Sequence, residues 1–259
     1  MTIQITILGS GSSTGVPVLG CDCAVCTSKD SKNVRWRSSI LVKTSSGMPI
    51  VIDTGPEFRL QLLRAGVLDL QHVLYTHLHA DHCHGFDDLR GLYFNNKKPL
   101  KCYLDSEYVS ELKHRFHYAF EDTGYKGGRP DIELVKLPEG GGVFKIQDCE
   151  IETIRLQHGN VLVNGFRFGS FAYVTDFKNF TEEQISSWRG KIDVMISSGL
   201  RWSSHGTHSS TVETIAIFKE LGVKRGILTH LSHDIDYQRD MARMPNGVEL
   251  AYDGMTITL

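Results

Sequence analysis

The sequence predicts an α/β fold in which two β-sheets pack face to face and carry helices on their outer faces. Strand-like segments rich in β-branched residues open the chain at 3–8, 39–44 and 49–53. Helical and strand-like segments then alternate, and the same order recurs in the second half of the chain. A chain of 259 residues is long enough to bury a substantial core, so we expect a single domain over residues 1–259.

Apolar periodicity predicts the first helices. A helix is expected over 57–66, where Leu60, Leu63 and Val67 recur at helical spacing, and a second over 105–118. Further strands are predicted at 132–137, 149–156, 166–174, 193–197 and 225–229.

Glycine, proline and capping residues predict the breaks between elements. Loops are expected between Gly124 and Gly142, including the run 127–130, and Ser210 with Glu213 resembles the capping box that opens a helix.

Composition excludes several classes of protein. Hydrophobic residues make up 41% of the chain and charged residues 22%, and no apolar run approaches the roughly 20 residues that span a bilayer. The formal net charge of −2 provides no overall basic field for nucleic acid. The chain enters the strand pattern at Ile3 without a basic leader or a cleavage site, so we expect a cytoplasmic protein.

The segment Thr76–His82 contains three imidazoles and one carboxylate directly after an apolar strand at 73–75. In extended chain, His77 and His79 point the same way, whereas Asp81 and His82 would turn off the strand. Such a set suits more than one divalent cation and predicts metal-dependent hydrolysis. The alternative is a chance cluster of surface histidines.

Two cations need more ligands than this segment supplies, and three candidates each follow a predicted strand. His158, Asp176 and His230 are the candidate additional metal ligands. The alternatives are a solvated loop histidine and an aspartate that merely caps a turn.

The predicted chemistry also requires a proton donor. Two cations about 4 Å apart lower the pKa of a shared water, and the departing oxygen then needs a general acid. His208, in the loop before the predicted helix, is our candidate and His205 its competitor; an exposed histidine at a helix start is the alternative.

A second cluster joins Cys21, Cys23 and Cys26, a spacing that favours thiolate ligation of zinc over a disulfide framework. His233 is the predicted fourth ligand, which would make the site closed and structural; three free thiols are the alternative. The isolated cysteines are expected to be buried small apolar residues: Cys83, Cys102 and Cys149.

The pattern Thr-His-x-His-x-Asp-His resembles the signature of the metallo-β-lactamase fold. The resemblance implies an αββα four-layer sandwich of two mixed β-sheets with helices on the outer faces. It also implies a ligand order in which Asp176 bridges two ions and Asp53 supports the His-rich loop. The first ion would be held by His77, His79 and His158, and the second by Asp81, His82 and His230.

Four segments together resemble a narrower family, the phosphoribosyl 1,2-cyclic phosphate phosphodiesterases of carbon-phosphorus lyase pathways. They are 9–17, the Cys21–Cys26 cluster, Thr76–His82 and Thr229–His233. The resemblance implies a dinuclear manganese site, a separate structural zinc, a homodimer and a general acid at His208. The chain departs from the pattern at 197–199, where relatives often place an acidic residue.

These observations predict a phosphodiesterase that uses two divalent cations, Mn²⁺ or Zn²⁺, and hydrolyses a small cyclic phosphodiester through attack by a metal-bridging hydroxide. His208, Asp81 and Asp53 are the predicted catalytic residues. The alternatives are a nuclease that processes the 3′ end of transfer RNA and a metal-binding protein without turnover. A glutathione thioesterase and a β-lactamase fit less well, and nucleic acid and membrane partners are not expected.

Overall fold

A computed structural model describes residues 3–122, 124 and 128–259. The predicted loop residue Gly127 and the first two residues of the predicted domain lie outside this part of the chain. Within it, fourteen strands form two seven-stranded sheets. Both sheets contain parallel and antiparallel pairs, as the mixed sheets of the sequence prediction require.

The first sheet has the strand order β14-β1-β2-β3-β4-β5-β6 and the second the order β13-β12-β11-β10-β9-β8-β7. The strands of the first sheet are β1 (Gln4–Gly9), β2 (Ser39–Lys43), β3 (Pro49–Ile52), β4 (His72–Leu74), β5 (Leu100–Leu104), β6 (Ile132–Lys136) and β14 (Thr256–Thr258). Those of the second are β7 (Gly141–Ile146), β8 (Cys149–His158), β9 (Val161–Phe168), β10 (Phe171–Val174), β11 (Val194–Ser198), β12 (Arg225–Thr229) and β13 (Val248–Leu250).

Seven α-helices accompany the sheets in the described residues. They are α1 (Phe58–Ala65), α2 (Ala80–Cys83), α3 (Leu89–Asn96), α4 (Ser106–Arg115), α5 (Glu182–Trp188), α6 (Thr211–Leu221) and α7 (Tyr237–Met241).

Three hydrophobic clusters hold the layers together. The central cluster joins the inner faces of both sheets, for example Ile7 of β1 and Phe166 of β9. A second packs α1, α3 and α4 on the outer face of the first sheet, and a third packs α5, α6 and α7 on the outer face of the second. The predicted αββα sandwich is thus confirmed. Strand alternation produces it, since Ile40 faces the central cluster while its neighbour Leu41 faces the helices.

Two local predictions were wrong. The strand predicted at 166–174 is two strands, because Gly169, with φ of 59°, allows a turn between β9 and β10. The helix predicted at 57–66 forms, but Leu60 and Leu63 are 45% and 61% exposed. Its buried face carries Phe58 and Leu62 instead.

Phe166 lies fully buried between the sheets, so its truncation should create a cavity in the central cluster. We expect Phe166→Ala to lower the free energy of unfolding by about 3–5 kcal/mol, measured by urea denaturation. Val143→Ala, at a position 56% exposed, is the matched control. Equal stability of the two variants would contradict the assigned packing.

Parallel strands set the position of the candidate site. β3 and β4 run parallel in the first sheet, and β10, β11 and β12 run parallel in the second. Their carboxyl ends therefore lie together at one edge of each sheet. No helix among the described residues is long and apolar enough to cross a membrane.

Candidate metal centre

Three of the predicted site residues lie just past strand ends in an unusual backbone conformation: Asp53 and His230 directly follow β3 and β12, and Asp176 is the second residue after β10. Asp53, Asp176 and His230 have φ of 65°, 54° and 54°, in the left-handed region that non-glycine residues seldom adopt. Aspartate and histidine tolerate this conformation better than most residues, but it still has a cost. The backbone turns away from each strand at once, which points these three side chains toward a common space.

The strand before the His-rich segment ends one residue earlier than predicted. β4 ends at Leu74, so His77 and His79 lie on the irregular segment after it and not on the strand itself. Asp81 and His82 lie on the short helix α2, as their predicted departure from the strand requires. Of the four side chains, only that of His79 belongs to an exposed residue.

All seven predicted ligands meet at this edge of the sandwich. Their nitrogen and oxygen atoms form overlapping groups in which the atoms lie within 4.8 Å of one another. These groups are His77 with His79 and His158; His77 with His82 and Asp176; Asp81 with His82 and His230; and His158 with Asp176 and His208. The first and third groups are the two ligand sets that the sequence resemblance implied, and their role as ligands stays a prediction.

Asp176 occupies the middle of this arrangement. Its carboxylate lies 3.0 Å from Nε2 of His82, 3.1 Å from Nε2 of His230 and 3.2 Å from Nδ1 of His208. Its backbone N–H donates to Oγ of Ser198 at 2.8 Å. Ligand atoms of His77 and His158, which belong to the other predicted set, lie within 4.8 Å of the Asp176 carboxylate as well. One carboxylate therefore faces histidines of both sets.

The donor atoms suit divalent cations. Nε2 of His82 is fully buried and makes no well-directed hydrogen bond, although it lies within 3.1 Å of both Asp81 and Asp176. Nδ1 of His208 is buried without a well-directed hydrogen bond as well, 3.2 Å from Asp176. Unpaired buried nitrogens beside carboxylates are costly in a protein without an ion and favourable around one. The residues present thus fit the metal that this chemistry requires.

Electrostatics support the same conclusion. Burial lowers the pKa of His77, and the positive charge of His82 lowers it further. Burial also lowers the pKa of His79 and His158, so these imidazoles are held neutral, the form that binds metal. Burial opposes the charged form of Asp176, but His230 and His82 outweigh it and hold its pKa well below the usual value. The centre therefore places three neutral imidazoles, those of His77, His79 and His158, near the anionic carboxylate of Asp176.

Hydrogen bonds behind the donors fix their orientation. Asp53 accepts from Nδ1 of His82 at 2.7 Å, which directs Nε2 of that ring toward the centre. Asp53 also accepts from the backbone and the hydroxyl of Thr76, each at 2.8 Å. A second histidine, His158, is oriented in the same way, because its Nδ1 donates to the backbone oxygen of Thr207 at 3.0 Å.

Sequence reasoning missed four of the supporting residues. Thr76 and Thr207 orient histidines, Ser198 accepts from the backbone of Asp176, and Arg115 donates to the backbone oxygen of Leu78 inside the His-rich segment. Thr76 and Ser198 had a signal, because Thr76 opens the His-rich signature and Ser198 falls where the resembled family often places an acid. The contacts of Thr207 and Arg115 join distant parts of the chain and leave no local pattern.

The two candidate proton donors differ in their surroundings. His208 contacts Asp176, and its ring stacks on that of His230 with the centroids 5.2 Å apart. The ring of His205 lies on the other side, 5.0 Å from that of His208, and its Nδ1 faces backbone N–H groups of its own loop.

The second cluster forms as a separate group. Nδ1 of His233 lies 3.3 Å, 3.6 Å and 3.5 Å from the sulfurs of Cys21, Cys23 and Cys26. The backbone N–H of Cys26 lowers the pKa of the Cys23 thiol to about 6, whereas burial raises that of Cys26 to about 11. Of the isolated cysteines, Cys83 and Cys102 are buried as expected, and Cys149 is partly exposed.

The glycine-rich loop after β1 packs tightly against its neighbours. A Cβ at Gly9 would lie 2.0 Å from the backbone oxygen of Arg37, so only glycine fits there. Ser10 accepts from the backbone N–H of Leu231, and Ser12 donates to the backbone oxygen of the same residue. These contacts support the segment that follows His230.

Residues 49–231 match the family described as the Beta-lactamase superfamily domain. The chain belongs to the beta-lactamase superfamily. The fold is that of the metallo-β-lactamase hydrolases, as the His-rich pattern predicted.

Curated relatives give a mixed picture of activity. A protein of Porphyromonas gingivalis named octanoyltransferase is 35% identical over 257 residues, which cover 98% of this chain and 51% of that protein. A ribonuclease Z of Aeropyrum pernix is 30% identical over 146 residues, covering 54% of this chain and 39% of that enzyme. The chain thus matches about half or less of these relatives' length.

Solved structures share the fold over the whole chain. A crystal structure described as a new diphosphatase from the PhnP family superimposes with a TM-score of 0.92 at 34% identity, covering 100% of this chain and 98% of that one. The short form of human tRNase Z superimposes with a TM-score of 0.71 at 18% identity, covering 98% of each chain, and shows the fold alone.

Proposed function

We propose that this chain is a metal-dependent hydrolase of phosphoric diesters, acting as a single catalytic domain on a small cyclic phosphodiester of the phosphoribosyl 1,2-cyclic phosphate type. The observation that supports this proposal most directly is the position of Asp176, whose carboxylate lies within 3.2 Å of His82, His208 and His230. The similarity to a PhnP-family diphosphatase supports chemistry at a phosphoryl group.

The proposal assigns seven side chains to two divalent cations, Mn²⁺ or Zn²⁺. Asp176 is the proposed ligand shared by both sets, since its carboxylate lies within 4.8 Å of His77 and His158 of one set and within 3.1 Å of His82 and His230 of the other. Bound cations would supply a water of lowered pKa and neutralise charge on the phosphoryl group. The proposed ligands are His77, His79 and His158 for one ion, and Asp81, His82 and His230 for the other.

Asp53 acts on this centre through His82. By accepting from Nδ1 of His82 it keeps the proton on that atom, so Nε2 remains available at the centre. Burial raises the pKa of Asp53, while the charge of His82 and the hydrogen bonds from Thr76 oppose that effect. Asp53 is therefore a supporting residue in this proposal.

His208 is the proposed general acid. Its imidazole contacts Asp176 and remains partly open at the rim, where a departing oxygen would lie. Its place between the Asp176 carboxylate and the open rim is the geometry that a proton donor to the departing oxygen requires.

Purified protein loaded with manganese or zinc tests the function. We expect hydrolysis of bis(p-nitrophenyl) phosphate, and in a substrate panel the fastest turnover on a cyclic phosphoribosyl diester compared with 2′,3′-cyclic nucleotides and linear diesters. Failure to hydrolyse any diester with either metal would favour a metal-binding protein without turnover.

The similarity to known proteins adds two further substrates to that panel. A diphosphate diester is chosen because the neighbour at 34% identity is described as a diphosphatase. A transfer RNA precursor is chosen because two ribonuclease Z proteins are related to this chain. Faster cleavage of either one would replace the cyclic diester as the assigned substrate.

We further propose that Cys21, Cys23, Cys26 and His233 hold a structural zinc. Four donors without space for substrate make a closed site, which contributes to folding and not to catalysis. His233 lies three residues after His230, so this zinc would fix the end of the segment that carries a ligand of the catalytic centre.

Substitution of one thiolate should remove this zinc. We expect Cys23→Ser to reduce the zinc content by one ion per chain and to lower the midpoint of thermal unfolding by roughly 6–12 °C, the effect of about 3 kcal/mol in a domain of this size. Cys149→Ser is the control, because Cys149 lies outside both clusters. Unchanged zinc content would show that the cluster is not a metal site.

A further inference from the structure

The loop between β11 and α6 contains a hydrogen-bonded turn centred on His205. Nδ1 of His205 lies 3.3 Å from the backbone nitrogens of both Thr207 and His208, and 3.3 Å from the hydroxyl of Thr207. A backbone N–H can only donate, so Nδ1 must be the acceptor and carries no proton. In this turn the imidazole of His205 therefore has its proton on Nε2.

The same turn contacts the candidate centre at two points. The backbone oxygen of Thr207 accepts from Nδ1 of His158 at 3.0 Å, and Nδ1 of His208 lies 3.2 Å from Asp176. A Cβ at Gly159 would lie 3.0 Å from the side chain of Thr207, so the turn also packs on the residue after His158. Any shift of the turn would move both contacts together.

We propose that His205 is a positioning residue whose Nδ1 holds this turn in the form that orients His158 through the Thr207 carbonyl and aims His208 at Asp176. The inference rests on the proposed function, in which His158 is a metal ligand and His208 the general acid. It gives the second histidine of the loop a role distinct from proton donation.

The charges around His205 agree with this role. Burial lowers the pKa of His205, and the positive charges of His208, Arg201 and Lys178 lower it further. A neutral imidazole keeps the lone pair on Nδ1 that the two backbone N–H groups require.

Substitution of His205 by asparagine and by alanine distinguishes a positioning role from a general loss of structure. An asparagine can present its side-chain oxygen near the place of Nδ1, whereas alanine presents no acceptor. We expect His205→Ala to weaken Mn²⁺ binding at the centre about tenfold, the usual effect of losing support behind a metal ligand. We expect H205N to restore most of that affinity, measured by competition with a fluorescent chelator.

Turnover of bis(p-nitrophenyl) phosphate should follow the same order. His205→Ala should lower kcat at least tenfold with a smaller change in KM, and H205N should recover most of the loss. His114→Ala, which removes an exposed histidine of α4, is the control for both measurements. Thermal unfolding midpoints of the variants should agree, since the turn lies at the rim of the site.

Two results would overturn the inference. One is equal Mn²⁺ affinity in wild type and His205→Ala. The other is a proton on Nδ1 of His205 in long-range ¹H–¹⁵N correlation spectra of the protein loaded with diamagnetic Zn²⁺. A wild type that binds Mn²⁺ but hydrolyses no diester would instead count against the proposed function, while the affinity comparison would still decide the role of His205.

Discussion

Asp176→Ala should abolish hydrolysis of phosphodiesters. The substitution removes the one carboxylate that faces His82, His208 and His230, all of which lie within 3.2 Å of it. We expect kcat/KM to fall at least roughly 1,000-fold, which corresponds to about 4 kcal/mol of lost transition-state stabilisation. Metal content should fall as well, because the residue is the proposed ligand of both ions.

The control for this variant is Asp193→Ala. Asp193 precedes β11 at the opposite end of that strand and pairs with Lys224 on the surface, so its loss should leave turnover and metal content unchanged. An Asp176→Ala protein that keeps its metal and more than a tenth of its activity would contradict the proposed bridging role.

His208→Ala should lower turnover strongly while the metal content stays that of the wild type. Loss of a general acid typically costs roughly 10² to 10⁴ in rate. The loss should be larger for a diester with an alkoxide leaving group than for bis(p-nitrophenyl) phosphate, because p-nitrophenolate departs without a proton. Steady-state kinetics on both substrates, with metal analysis of the same preparation, measure the difference.

Loss of metal from His208→Ala would show that His208 is a metal ligand. This outcome has to be tested because His208 groups with His158 and Asp176. An equal loss of rate on both leaving groups would count against proton donation. His114→Ala again serves as the control, since His114 is exposed on α4 and belongs to none of the groups of metal-ligand atoms.

The fold was predictable because strands that are buried on both faces of a sheet appear in the sequence as apolar runs. The strands before Asp53, Asp176 and His230 appear in the sequence as apolar runs that end at a polar residue, and the structure ends them there. The turn at Gly169 and the exposed face of α1 were not predictable in the same way. A single glycine inside an apolar run is compatible with one strand or two, and apolar residues such as Leu63 also occur on surfaces.

The candidate centre was predictable only as far as its ligand chemistry. Histidines and aspartates at strand ends are visible in the sequence, but the contacts that orient them are made by common residues at long separation. Thr207 reaches His158 across 49 positions, and Asp53 reaches His82 across 29. Backbone groups of this kind carry no sequence signature, so the role of Thr207 emerges only from the three-dimensional arrangement.

Anomalous diffraction from crystals grown with Mn²⁺ tests the central claim most directly. We predict two manganese peaks at the sheet edge, one beside His77, His79 and His158 and the other beside Asp81, His82 and His230, with Asp176 between them. A single peak, or manganese bound only away from these residues, would contradict the dinuclear centre on which the proposed hydrolysis depends.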